Sequence, residues 1–365
     1  MARTVQTPAT KILWSTSEEV RDLHVTALQL LWFIVIGFLW AGYFFLEGFD
    51  FGVGMLLPVI GKTDLERRGL INAIGPIWDG NEVWLIVAGG ATFAAFPLWY
   101  STMFSAFYIP LFVVLVALIV RGMSFEFRGL KENQRWRNNW DRVNFTSSIL
   151  AALIWGVAFS DLLKGIPLNA HHQFTGNVLD LLQPYALLGG LTMVGLFLLH
   201  GATFLTIKTT GELKDKASQA ARRVAPFVTV VLFAFLTWTY IVARTHHNSG
   251  AFPGFIPVSS FILIASVSWL AREHLEGWAF LFTGVAILGL TVTIFMTLYP
   301  NVITSSTAFA DSLSIATAAS QRYTLNIMTI VALIFTPFVL MYQGWTYWIF
   351  RKRIKLPQTT STPDS

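Results

Sequence analysis

Long apolar runs separated by short polar breaks dominate the chain, and a helix crossing a ~30 Å hydrocarbon layer needs roughly 20 such residues. Nine runs meet that standard. They lie near Val25 to Phe45 (apolar character continues to Ile60), Val83 to Pro97, Met103 to Val120, Val143 to Leu162, Leu181 to Ile207, Ala225 to Val242, Phe255 to Ala271, Trp278 to Tyr299 and Tyr323 to Phe350. The pattern predicts an all-α integral membrane protein of about nine transmembrane helices. The first run has no small-residue cleavage site and outlasts the 7–15-residue apolar core of a signal peptide, so it reads as a retained helix.

Two segments repeat each other. Gly42-Tyr-Phe-Phe-Leu-Glu-Gly-Phe-Asp-Phe51 and Gly195-Leu-Phe-Leu-Leu-His-Gly-Ala-Thr-Phe204 share G-x-F-x-L-x-G-x-x-F. A duplicated four-helix bundle with a pseudo-twofold axis, plus one additional helix, explains this; chance in Gly/Phe-rich sequence is the alternative. The expected division is an outer N-terminal segment (1–24), a single membrane domain (25–350) and a cytoplasmic tail (351–365). Within the domain, repeat one spans about 25–165, repeat two about 179–300 and the ninth helix about 323–350.

Composition agrees with the runs. Apolar residues make up 54% of the 365 and charged residues 12%, against about 25% charged in a soluble domain. The 31 Phe and 14 Trp suit lipid-facing surfaces and headgroup belts. With no Cys, disulfides, thiolate metal sites, iron–sulfur clusters and c-type haem attachment are excluded.

The net charge of +5 is explained by orientation instead of nucleic-acid binding. With a cytoplasmic C-terminus at Arg351, Lys352, Arg353 and Lys355, 19 of the 25 Lys and Arg fall in predicted inner segments, as the positive-inside rule requires. The N-terminus is then outside.

The chemistry sits where charge interrupts apolar sequence. Glu47 and Asp50, three apart, share a helix face, and each costs about 2.5–3.5 kcal/mol at a membrane centre on insertion scales. Gly48 and Gly52 would let another helix approach. The alternative places both acids at the inner headgroup boundary. Trp78-Asp79-Gly80-Asn81-Glu82 opens the next helix; its acids either share in chemistry or simply favour the helix dipole. Arg121 and Glu126 end the third helix on the same predicted side. Together the acids and Arg121 fit a proton entry path or, alternatively, structural salt bridging.

Of seven His, only His200 lies well inside a helix, where a hydrogen-bonded packing role competes with haem ligation. His24, His171, His172, His246, His247 and His274 fall at boundaries or in loops. No G-x-x-x-x-G-K-[ST], HExxH or GxSxG motif is present.

At these residues the chain resembles subunit II of the cytochrome bd-type quinol oxidases. The likeness runs through Glu47-Gly-Phe-Asp50-Phe-Gly-Val-Gly54, Glu66-Arg-Arg68, Asn72-Ala-Ile-Gly-Pro-Ile-Trp-Asp-Gly-Asn81 and Val83-Trp84-Leu-Ile. It continues through Arg135-Trp-Arg-Asn138, Gly211-Glu-Leu213, Tyr299-Pro300, Ser305-Ser306 and Thr324-Leu-Asn-Ile-Met328.

The resemblance implies a bacterial cytoplasmic-membrane complex that couples quinol oxidation to reduction of oxygen to water, generating a proton gradient without pumping. In it, partner subunit I holds two b-type haems, one d-type haem and the quinol site, and this chain binds no cofactor or metal itself. A structural quinone and small accessory single-helix subunits are left open by the sequence. Carried over by position, Asp50 and Asp79 belong to a proton route, with Glu47, Arg121 and Glu126 as neighbours. Trp84 matches a tryptophan associated with oxygen access. The family often has Asp at Glu47 and Gln at Glu82, which leaves the local proton network open. The rival readings are a proton-coupled secondary transporter and a non-catalytic scaffold of the same oxidase.

Overall fold

The computed structural model describes residues 25–246 and 254–356. The expectations for residues 1–24, His247 and the end of the tail lie outside the described residues, as does the His246 side chain. The first helix, α1 (Ala27–Ile60), runs without a break through the whole first apolar stretch. Thr26 and Gln29 close a capping box at its start, so two otherwise orphan N–H groups are satisfied. At 1.5 Å per residue its 34 residues span about 51 Å, well beyond the hydrocarbon layer. Its C-terminal end therefore projects toward the charged side, and Glu47 and Asp50 lie on that half.

A short helix, α2 (Asp64–Ile74), begins at a second capping box, Thr63 with Glu66. Next comes α3 (Trp78–Ala95), which ends at Phe96 because the residue before a proline is pushed out of helical geometry. Pro97 then opens α4 (Pro97–Ala106), and α5 (Tyr108–Phe127) follows. The remaining helices are α6 (Gln134–Lys164), α7 (Pro184–Lys208), α8 (Gly211–His246), α9 (Phe255–Arg272), α10 (Glu276–Leu298), α11 (Ile315–Ala318) and α12 (Arg322–Ile349). A two-stranded antiparallel hairpin, β1 (Asn301–Ile303) with β2 (Leu313–Ser314), lies between α10 and α11. No strand was expected there.

Among the described residues, eight helices are long and apolar enough to span a membrane. The nine predicted runs differ from them at two places. Val83–Pro97 is indeed helical, as α3, but its 18 residues include Asp79, Asn81, Glu82 and three glycines, which dilute its apolar character. The run Met103–Val120 is not one helix either, because the backbone breaks at Phe107 between α4 and α5.

The interior is built by α1, α6, α7 and α10, which pack on one another. The two copies of the repeated motif meet there. A Cβ on Gly52 would overlap the Phe197 carbonyl and the Gly201 backbone, so only glycines allow α1 and α7 to cross this closely. Phe49 stacks on Phe204 beside the crossing, with ring centroids 4.2 Å apart. By contrast, α12 touches α1 and α3 along one side and leaves most of its surface open. Beyond α12 the chain returns to the C-terminal end of α7, where Ile354 N–H donates to the Lys208 carbonyl at 2.8 Å.

Candidate proton-handling site

Glu47, Asp50, Asn81 and Arg121 come from three helices, and none exposes any surface. Their burial is possible because they answer one another. On α5, Arg121 donates through Nη1 to Glu47 Oε1 on α1. Its guanidinium lies over Phe51 and Phe125, 4.8 and 5.4 Å from the ring centroids, where the ring quadrupoles favour a cation. A second carboxylate, Glu82 on α3, approaches the same guanidinium at 3.8 Å. One buried cation thus faces both Glu47 and Glu82.

Asp50 is held differently. Asn81 Nδ2 donates to Asp50 Oδ2 at 2.7 Å. The orientation of that amide is set from the far end of the chain: Tyr347 Oη and Gln343 Nε2, on α12, donate to Asn81 Oδ1 at 2.7 and 3.0 Å. With its oxygen occupied by two donors, Asn81 can only turn its N–H toward the acid. Among the described residues, none donates a hydrogen bond to Glu47 Oε2 or Asp50 Oδ1, so each carboxyl group keeps one oxygen available to a proton. Tyr43, one turn before Glu47, is fully buried against Trp40 and Trp155 at 6.0 and 6.1 Å and closes the cluster on the apolar side.

The remaining sequence candidates stand elsewhere. Asp79 is exposed on the first turn of α3, one turn before Glu82. Glu126 is exposed too; five residues after Arg121, it lies about 140° round the helix from it. Trp84 packs edge-on against Phe38 at 6.0 Å and covers Gly42, where a Cβ would strike its ring. It does not line the large apolar cavity of about 550 Å³ between α1, α3, α4, α5 and α6, whose walls include Trp40, Trp99 and Phe159.

His200 occupies the position equivalent to Glu47 in the second motif copy, and both its ring nitrogens are engaged. Nδ1 is 2.7 Å from Thr283 Oγ1 and Nε2 is 3.2 Å from the Phe45 carbonyl, with the ring stacked on Phe280 at 4.7 Å. An axial haem ligand keeps one ring nitrogen for iron, so this geometry fits the packing role. Among the described residues, no three His, Asp or Glu side chains converge as a metal site.

The sequence reading passed over a second network, at the charged end. Asp141 accepts from Arg128 Nε at 2.6 Å and Arg67 Nη1 at 2.9 Å, while Asp64 accepts from Arg128 Nη2 at 2.7 Å and Arg137 Nη1 at 2.9 Å. These pairs clamp α2 to the ends of α5 and α6. Glu66 accepts from Lys216 and from the N–H groups of Lys62 and Thr63. Burial acts to raise the Glu66 carboxyl, but those donors outweigh it and hold the group below the ordinary glutamate range.

These features define a multi-pass, all-helical membrane protein with a buried cluster of acids around one arginine. The family model for cytochrome bd terminal oxidase subunit II matches residues 28–350, and the chain belongs to that family. It is 42% identical to the cytochrome bd ubiquinol oxidase subunit 2 of Bacillus subtilis, over 92% of this chain and 100% of that one. It is 37% identical to the cytochrome bd-I ubiquinol oxidase subunit 2 of Escherichia coli K12, over 90% and 95%. The fold matches the bd oxidase structure from Geobacillus thermodenitrificans with a TM-score of 0.73 at 17% identity, covering 90% of this chain and 100% of that chain. As a subunit II, this multi-pass protein of the bacterial inner membrane has a subunit I as its partner, and the transporter reading falls.

Proposed function

We propose that this chain is the haem-free subunit of a quinol oxidase complex and that its buried acid cluster carries protons from the cytoplasm toward subunit I. The named relatives are ubiquinol oxidase subunits, which supports quinol as the electron donor. In this reading the two b-type haems and one d-type haem reside in subunit I and supply the oxygen chemistry. Reduction of oxygen to water consumes a proton for every electron, so a route for protons must end beside that chemistry.

The observation that carries the proposal is the meeting of Glu47 and Asp50 on α1 with Asn81 on α3 and Arg121 on α5 in one fully buried cluster. One guanidinium balances one carboxylate. Additional ionised carboxyls in so poor a dielectric are costly, and a proton on any of them relieves that cost. A proton passing from one carboxyl to the next then leaves the total charge of the cluster unchanged. Asp79, exposed at the start of α3, is the proposed entry, with Glu82 as the step between it and the Glu47–Arg121 pair. Asn81, locked by Tyr347 and Gln343, positions Asp50. Glu126 lies off this route and serves at most as a surface collector, while Trp84 is assigned to packing over Gly42. The positive-inside distribution supports a cytoplasmic position for this route.

The test uses the intact two-subunit complex. Asp50→Asn keeps the shape but removes the ionisable group, so oxygen consumption per haem should fall by about tenfold or more, towards the 10²–10⁴ typical of a lost proton-transfer group, with the haem absorbance unchanged. Asp79→Asn should slow turnover less, because solvent can supply Glu82 directly. Asp50→Glu should restore turnover with a displaced pH profile. Normal respiration by Asp50→Asn at every pH would reject the route.

A further inference from the structure

On the outer surface between α5 and α6 lies a second groove, of about 450 Å³, within the range of small-molecule sites. Phe112, Val116 and Val120 form one wall, and Leu150, Thr146 and Arg142 the other. Each wall covers nine residues, about 12 Å of helix from first to last. Two features distinguish this groove from an ordinary lipid-exposed seam.

The first is Arg142. Its neighbours Arg67, Arg128 and Arg137 are all paired with Asp64 or Asp141. Arg142 is exposed and, among the described residues, makes no hydrogen bond or ion pair. A charge without a counter-ion, at the end of an apolar groove, leaves room for an anion from outside the chain.

The second is depth. Trp140, two residues earlier, packs edge-on to Trp136 at 5.8 Å and to Phe127 at 5.4 Å, and Lys131 lies over the Trp136 ring at 4.4 Å. Such aromatic and basic residues sit at headgroup level. The cationic end of the groove therefore stands at the membrane interface, and its apolar length runs into the hydrocarbon.

We propose that this groove binds one anionic glycerophospholipid, its phosphate held by the Arg142 guanidinium and one acyl chain lying between α5 and α6. The planar guanidinium suits a phosphate through paired N–H donors, and the exposed Thr146 hydroxyl lies one turn deeper, at the level of the glycerol ester. A zwitterionic headgroup carries its own cation and competes less well for Arg142. The proposal depends on the chain spanning the membrane and not on the proton route.

Native mass spectrometry of the intact, delipidated complex, titrated with phosphatidylglycerol or phosphatidylcholine, tests it. The wild type should bind phosphatidylglycerol about fivefold more tightly, the size of effect one basic residue has at a membrane surface. Arg142→Gln should abolish that preference while leaving oxygen turnover intact. Val116→Trp, which narrows the groove from an exposed position, should weaken the binding of both lipids. If Arg142→Gln keeps the full preference, the proposal is overturned, and this variant alters no contact within the chain. A folded Val116→Trp complex that binds both lipids as the wild type does would also overturn it.

Discussion

Arg121 is buried without any exposed surface, and its energetic role follows from that setting. A buried ion pair contributes little net stability over apolar residues of like shape, but removing one partner strands the other charge at a cost of about 3–5 kcal/mol. Arg121→Leu should therefore lower the yield and thermal midpoint of the complex sharply, whereas Glu47→Leu with Arg121→Leu should recover most of the loss. Equal damage in the single and double variants would show that the pair is not the source of the effect. Glu47, Asp50 and Arg121 were legible in the sequence because charge inside an apolar run is costly and demands a partner. Gln343 and Tyr347 were not, since uncharged side chains near the end of the last helix look like interfacial residues, and they stand more than 260 positions from Asn81. Asp79 was legible as an acid but not as an exposed one.

Among the helices, the α1–α7 crossing fixes the position of the acid cluster. Glu47 and Asp50 precede Gly52 on α1, and the Gly52–Gly201 contact sets how deeply α1 sits against α7. Gly201→Leu has no space and must separate the helices, so haem-containing complex should be lost from membranes, measured by its absorbance. Gly344→Leu, on the open side of α12 where no atom lies within 4 Å, is the control and should assemble normally. The repeated motif that announces this crossing was readable from spacing alone. The break at Phe96–Pro97 was partly so, because the second apolar run stops there. The break at Phe107 has its signal in Pro110, which has no N–H for the Ala106 carbonyl and crowds it, but hydrophobicity alone merged α4 and α5.

Across the molecule, the charged end is fastened by ion pairs that join α2 to α5, α6 and α8. Glu66 is the member with a pH signature. Its folded-state pKa lies below its unfolded value, so its contribution to stability is fully present above the ordinary glutamate range and is lost as the pH falls through the depressed folded value. Thermal midpoints of the wild-type complex should drop on acidification through that window, and Glu66→Gln should start lower and show a shallower drop. A Glu66→Gln curve parallel to the wild type would remove Glu66 from the account. The positive-inside distribution made this end legible as a surface, but the pairing of Arg67, Arg128 and Arg137 with Asp64 and Asp141 required the helices to be brought together. The central claim, that the buried acids of this chain pass protons inward from the cytoplasm, is tested most directly in vesicles holding the complex in one orientation. A pH-sensitive dye on the side of the Arg351–Lys355 tail should report proton uptake in step with each oxygen pulse, and Asp50→Asn should slow uptake and oxygen consumption together. Uptake at the wild-type rate in Asp50→Asn and Glu47→Gln alike would contradict it.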